Sequence, residues 1–200
     1  MKIVIATRNP AKLEYYQGVL EGLTEQVLGL VDFDIDQKPE ELGKTARENA
    51  EIKARFYADL TGETVFCEDE ALYADFLPLE RQPGVYVRRV NGRELSDDEL
   101  LAHWEEIIKP VAPDKRTGFW RIAYALAVKE GGVRAVERDH PIRFYYPASK
   151  IRLQGWPLSS IEGSTHLNKP HSERTPEEVA LEQERNRQTL KQIFEELLSN

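Results

Sequence analysis

The strongest constraint on this chain lies in its first twenty residues, MKIVIATRNPAKLEYYQGVL. Residues Lys2 to Ala6 read as a buried strand, and their apolar run, Ile3 to Ala6, is far too short for a signal-peptide core. Within four residues the pattern turns helical. Asn9 is a favourable N-cap, and Pro10 suits the first helical position, where a missing N–H removes no bond. Leu13, Tyr16, Leu20 and Leu23 then recur at helical spacing. A strand feeding a helix through a short polar turn begins a layered α/β arrangement.

The rest of the chain continues that alternation. A second strand is expected from Val27 to Phe33, followed by the acidic loop DIDQKPEELGK. Thr45 and Glu48 form a capping box for a helix whose face is Ala50, Ala54, Tyr57 and Leu60 and whose end is Gly62. Thr64 to Cys67 reads as a strand ending in Glu68, Asp69 and Glu70. Pro83-Gly84 turns the chain before Val85 to Val90, and Ser96 caps a helix to Ile108. Trp120, Ile122, Tyr124, Leu126 and Val128 alternate as in a strand. Glu130-Gly131-Gly132 turns into a return strand, Val133 to Glu137. Further strands are expected at Ile142 to Tyr146 and Lys150 to Gln154, and a charged helix runs from Thr175-Pro176 to about Leu198. There are no repeats and no linker, so residues 1–200 read as one mixed α/β domain.

Charge and cysteine content narrow the function. A net charge of −8 argues against general nucleic-acid binding, which needs basic surface to displace counterions. The single cysteine, Cys67, permits no intramolecular disulfide and no cysteine-based zinc cluster. These features suit a cytoplasmic protein with no membrane partner.

Three sets of residues are able to carry chemistry. In T-R-N-P-A-K, the helix N-terminus with Thr7, Arg8, Asn9 and Lys12 suits an anion such as phosphate. The same residues also suit a plain helix start, and the glycines of a Walker loop are absent. In C-E-D-E, the successive acids Glu68, Asp69 and Glu70 repel one another unless a cation sits among them. Magnesium fits such oxygen ligands, with Glu40 or Glu41 as a further donor. A solvated acidic turn is the plainer reading. The third set is cationic: Lys53, Arg88, Arg89, Lys169 and Arg174. Glu48 is fully explained by its cap. The four histidines lack zincin spacing, and only His171 lies near basic residues. Trp156 suits either base stacking or packing.

Taken in order, ATRNPAK, ENAEIKA, CEDEAL and PGVYVRR resemble the inosine triphosphatase family of non-canonical nucleotide pyrophosphatases. The resemblance covers the first ninety residues or so and continues more weakly to Gly155-Trp156 and Ser172 to Arg174. It implies an elongated α/β fold, a mixed twisted sheet with flanking helices and two lobes around a central cleft. It also implies a homodimer that uses Mg2+ to cut a nucleoside triphosphate, of inosine or xanthosine type, to monophosphate and pyrophosphate. By position, Thr7, Arg8, Asn9, Lys12 and Lys53 would hold the phosphate chain, with Arg88 a further cation. Asp69 would accept a proton and, with Glu68 and Glu40, contact the metal. Gly155 and Trp156 would lie by the base, with Lys169 and Arg174 closing the site.

The sequence departs from that family at four places. Arg8 stands where a glycine is usual, and Glu70-Ala71 replaces Ser-Gly. Pro157 replaces an aspartate that helps choose the base, and Glu173 replaces a histidine. The phosphate and metal side is kept while the base side is rewritten. The residues therefore leave two alternatives open: the same chemistry on another modified nucleotide, or a catalytically silent nucleotide-binding protein.

Overall fold

A computed structural model describes residues 2–129 and 131–199. The opening strand β1 (Lys2–Ile5) leads into helix α1 (Pro10–Leu20), where the Asn9 side chain accepts a hydrogen bond from the Ala11 amide. The helix stops before Leu23, which is 37% exposed rather than part of the apolar face. Strand β2 (Gln26–Gly29) is shorter than expected. Asp32 Oδ2 accepts from the Gly29 amide at 2.7 Å, and Leu30–Phe33 winds into a 3-10 turn instead of continuing the strand.

Helix α2 (Ala46–Thr61) has the reciprocal Thr45/Glu48 cap and ends at Gly62 in the left-handed region. Its buried residues include Ala46, Asn49, Ala50, Ala54 and Tyr57. Leu60, expected on that face, is 45% exposed. Strand β3 (Val65–Ala74) differs most from expectation, because the acids lie within it rather than at its end. Charge pairing with neighbouring helices, described below, allows the strand to continue through them.

The segment Val85 to Val90 is not one strand. A hairpin of β4 (Arg89–Val90) and β5 (Arg93–Glu94) closes on Asn91 and Gly92, both at positive φ. Such Asn-Gly turns match the twist of paired strands. Helix α3 (Asp97–Ile108) carries the expected Ser96 cap. Strand β6 (Thr117–Ala127) is followed by β7 (Val133–Phe144), which fuses two segments expected to be separate. Its passage through Pro141 falls just before pairing with β8 (Glu162–Ser164) begins at Ile142, consistent with proline's confinement to weakly paired positions. Of the expected turn between β6 and β7, Glu130 lies outside the described residues. Lys150 to Gln154 forms a loop rather than a strand, while β8 carried no sequence signal. Helix α4 (Pro176–Ser199) completes the chain.

The main sheet has the order β2-β1-β3-β6-β7-β8, with β1 parallel to β2 and β3, and β7 antiparallel to β8. The chain divides into two compact units. The first holds residues up to Asp69, Ile122–Arg138 and from Ala180 onward; the second holds Glu70–Arg121 and Asp139–Val179. In the first, Ile3, Ile5, Tyr16, Leu20, Phe66 and Phe194 belong to one core. Phe66 stacks on Phe194 with centroids 4.6 Å apart. In the second, Leu72, Trp104, Phe144 and Ile161 form another core, and Trp104 stacks on Phe144 at 5.3 Å. Burying each such aromatic stabilises its unit by roughly 1.5–3 kcal/mol.

Candidate active site

In the first unit, the turn after β1 is built by its own side chains. Thr7 Oγ1 accepts from the Asn9 amide at 3.2 Å, and Asn9 Oδ1 accepts from the Ala11 amide at 3.0 Å. Arg8 turns elsewhere: its guanidinium donates to the Ile35 and Gln37 carbonyls at 3.2 and 2.9 Å. The residue that departs from the family pattern thus fastens the loop after β2 to the turn after β1.

That loop is anchored again at its far end. The Gly43 amide donates to Asn49 Oδ1 at 2.9 Å. A Cβ on Gly43 would lie 2.5 Å from that oxygen and 2.9 Å from the Asn49 amide nitrogen, so only glycine fits without a shift. The anchoring brings Glu41, rather than Glu40, to 3.3 Å from Lys53 Nζ. Glu40 is exposed.

The alternation of β3 sends its adjacent carboxylates to different neighbours. Glu68 meets α1, with Oε1 2.8 Å from Lys12 Nζ and Oε2 accepting from the Tyr16 hydroxyl. Asp69 meets α2, with Oδ1 2.5 Å from Lys53 Nζ and a further bond to the Asn49 side chain. Burial pushes the Asp69 carboxyl above its ordinary value, and Lys53 and Asn49 pull it back only in part. Burial pulls Lys53 down, but the Asp69 charge and hydrogen bond outweigh it and hold the ammonium above its usual range. Among the described residues, no three histidine, cysteine, aspartate or glutamate side chains gather as a ready-made metal cage. Burial pushes the Cys67 thiol up, leaving it an inert core group.

Thr7, Asn9, Lys12, Lys53, Glu68 and Asp69 all belong to this unit, joined by Tyr16 and Asn49, to which the sequence reading gave no role, and by Glu41, which it named beside Glu40 as a further donor. Tyr16 lies one turn beyond Lys12, a spacing that places both on one helix face. Asn49 lies in the quoted ENAEIKA segment. Their roles depend on the depth of each side chain, which spacing does not specify.

The second unit holds the other candidates. Arg88 pairs with Asp97 at 2.7 Å and donates to the Leu95 carbonyl at 3.5 Å, fastening the β4–β5 hairpin to the start of α3. Gly155 forms a left-handed corner (φ 80°), and the Trp156 amide donates back to the Leu153 carbonyl at 3.0 Å. The Trp156 side chain is 42% exposed. Pro157 opens a 3-10 turn, Pro157–Ser160, a role for which its fixed φ suits it. Lys169 Nζ lies 2.6 Å from Glu178 Oε2, and Arg174 Nε donates to the His171 carbonyl at 3.0 Å. Glu173 is exposed.

A further titratable group stands in this unit. Glu162 on β8 accepts from Trp120 Nε1 at 2.8 Å. Burial first, and then the Glu70 charge, raise its carboxyl to about 7, against the lowering effect of the indole bond. A carboxyl raised on folding keeps its proton longer when folded, so its stabilising contribution is complete below the unfolded value. It is lost as pH rises through about 7. Glu162→Gln keeps an acceptor for Trp120 and should gain about 2 kcal/mol relative to the parent between pH 5 and pH 8, the scale of such a shift. Urea denaturation at both pH values measures it; parallel pH profiles would contradict the assignment.

A model of the Ham1 family matches residues 3–139. The chain belongs to the Ham1 family. The match contains the turn after β1, Lys53, Glu68 and Asp69, and stops short of Gly155 to Arg174. The chain is similar to the dITP/XTP pyrophosphatase of Exiguobacterium sibiricum, with 37% identity over 131 residues, 66% of this chain and 65% of that protein. Similarity to the dITP/XTP pyrophosphatase of Geobacter sulfurreducens is 37% over 133 residues, again 66% and 65%. The matches therefore span just under two thirds of these Ham1 relatives' length. The fold extends further. A structure of a nucleoside-triphosphatase / dITP/XTP pyrophosphatase from Mycobacterium abscessus covers 96% of this chain and is 98% covered, with TM-score 0.73 and 28% identity. No described helix is long and apolar enough to cross a membrane.

Proposed function

We propose that this chain hydrolyses a nucleoside triphosphate to monophosphate and pyrophosphate, with inosine- and xanthosine-type nucleotides as its first substrates. The observation that carries this reading is the pair of adjacent carboxylates on β3, each facing a different lysine, beside the capped turn after β1. The relatives' dITP/XTP pyrophosphatase names agree with it.

Lys12 and Lys53, with the Thr7 and Asn9 side chains, hold the triphosphate. Asp69 accepts the proton of the attacking water as its oxygen bonds to the α-phosphorus and the bond to the bridging oxygen breaks. The lysines meet the negative charge that builds on the departing pyrophosphate. Hard oxygen donors at Glu68 and Asp69 fit Mg2+, which commonly takes one or two carboxylates together with substrate phosphates and waters; Glu41 is the nearer third donor. When bound, that ion draws charge from the phosphate oxygens and eases ionisation of water beside them. Gly155, Trp156, Lys169 and Arg174 serve the base. We further propose a cytoplasmic homodimer, the location from the single cysteine and the dimer from the resemblance; fractionation and sedimentation velocity test those points.

The deciding experiment is pyrophosphate release from a panel of canonical, deaminated and modified nucleotides, with and without Mg2+. Magnesium-dependent release from inosine or xanthosine triphosphate is expected. Release from a different nucleotide alone would keep the chemistry and overturn the base assignment. Silence from folded protein would favour a nucleotide-binding protein without turnover.

A further inference from the structure

Both carboxylate oxygens of Glu68 are engaged from one helix. Lys12 approaches one oxygen at 2.8 Å, and the Tyr16 hydroxyl donates to the other. The two donors are four residues apart on α1, one turn along the same face. Tyr16 has little freedom. It is 2% exposed, and its ring packs edge-on against Phe66 with centroids 5.3 Å apart. Phe66 lies two residues before Glu68 on β3, so both point to the same side of the strand. The core thus fixes the ring, the ring fixes the hydroxyl, and the hydroxyl fixes Glu68. Burial and the Glu68 charge hold the Tyr16 phenol well above its usual range, keeping it a donor.

We infer that Tyr16 is a positioning residue which, through Glu68, sets how readily Lys12 is released to phosphate. The inference rests on the proposed phosphate role of Lys12. With the side chains of Lys12 and Glu68 19% and 13% exposed, a triphosphate entering this turn must draw Lys12 away from a largely buried carboxylate. The Tyr16 hydroxyl eases that exchange, because Glu68 retains a donor after Lys12 leaves. Without the hydroxyl, Glu68 loses a donor and holds Lys12 more firmly. Without the Glu68 charge, Lys12 is held less firmly and meets phosphate more readily.

These consequences have opposite signs, which a general loss of packing does not produce. The experiment is calorimetric titration of the full chain with inorganic tripolyphosphate, in chelator and without metal. Thermal unfolding checks that each variant is folded. Glu68→Gln, which keeps an acceptor for Tyr16, should bind tripolyphosphate about tenfold more tightly than the parent, the low end for a bond to a charged partner. Tyr16→Phe, which keeps the ring, should bind it several-fold more weakly. Lys12→Ala should abolish the difference that Glu68→Gln makes. Unchanged or weaker binding in Glu68→Gln, with Lys12→Ala still impaired, would overturn the role of Tyr16 and leave Lys12 as a phosphate ligand. Unchanged binding in Lys12→Ala itself would overturn both.

Discussion

Replacing Asp69 with Asn should lower turnover by about a hundredfold or more, the usual lower scale for removing a general base. The amide retains the shape of the carboxyl but not its charge beside Lys53, so the loss should appear in the kcat of variant protein that thermal unfolding shows to be folded. It should also change the pH profile. Burial raises the Asp69 carboxyl above its ordinary value despite the neighbouring lysine. The acid limb of kcat/KM should therefore lie above that of an ordinary aspartate, with activity rising as pH increases and the base ionises. In the variant that limb should vanish. Steady-state rates against the best substrate from the nucleotide panel, measured across pH, test this directly. Retained turnover would remove Asp69 from the proton-accepting role.

Lys53→Ala should be the most damaging single change to stability around the site. The side chains of Lys53 and Asp69 are only 16% and 13% exposed and lie 2.5 Å apart. Removing the cation leaves a largely buried carboxylate supported by Asn49, and breaking such a pair costs about 3 kcal/mol. The same change deprives the departing pyrophosphate of a positive charge, so activity should fall by about a hundredfold as well. A second substitution separates the two effects. Asp69→Asn in the Lys53→Ala background removes the charge that lacks a partner and should recover most of the lost stability without restoring turnover. Equal destabilisation by Lys53→Ala in both backgrounds, measured by urea denaturation, would show that the pair is not its source.

Elements with strong local signals were legible in advance. The Asn9 cap with Pro10, the Thr45/Glu48 capping box, the Ser96 cap and the Gly62 stop all rest on bonds between residues a few positions apart. The acids of β3 were placed differently from expectation for a tertiary reason. A strand containing Glu68, Asp69 and Glu70 reads as a strand coming to an end, until Lys12, Tyr16, Lys53 and Asn49 from two helices reach it. Arg8 was unexplained for the same reason, since the carbonyls it binds lie 27 and 29 residues away. Strand β8 is three residues long and exists through its pairing with β7, so no local pattern announced it.

What the sequence determined by itself is the alternation of strands and helices, their caps, and the order of the motifs shared with the Ham1 family. These depend on periodicity and short-range hydrogen bonding, which the chain carries locally. Tertiary structure alone decided which polar groups meet: Lys12 with Glu68, Lys53 with Asp69 and Glu41, Arg88 with Asp97, and Glu162 with Trp120. Most of those partners are far apart in the chain. Their pairing depends on distance and burial, which come into being only when the elements pack.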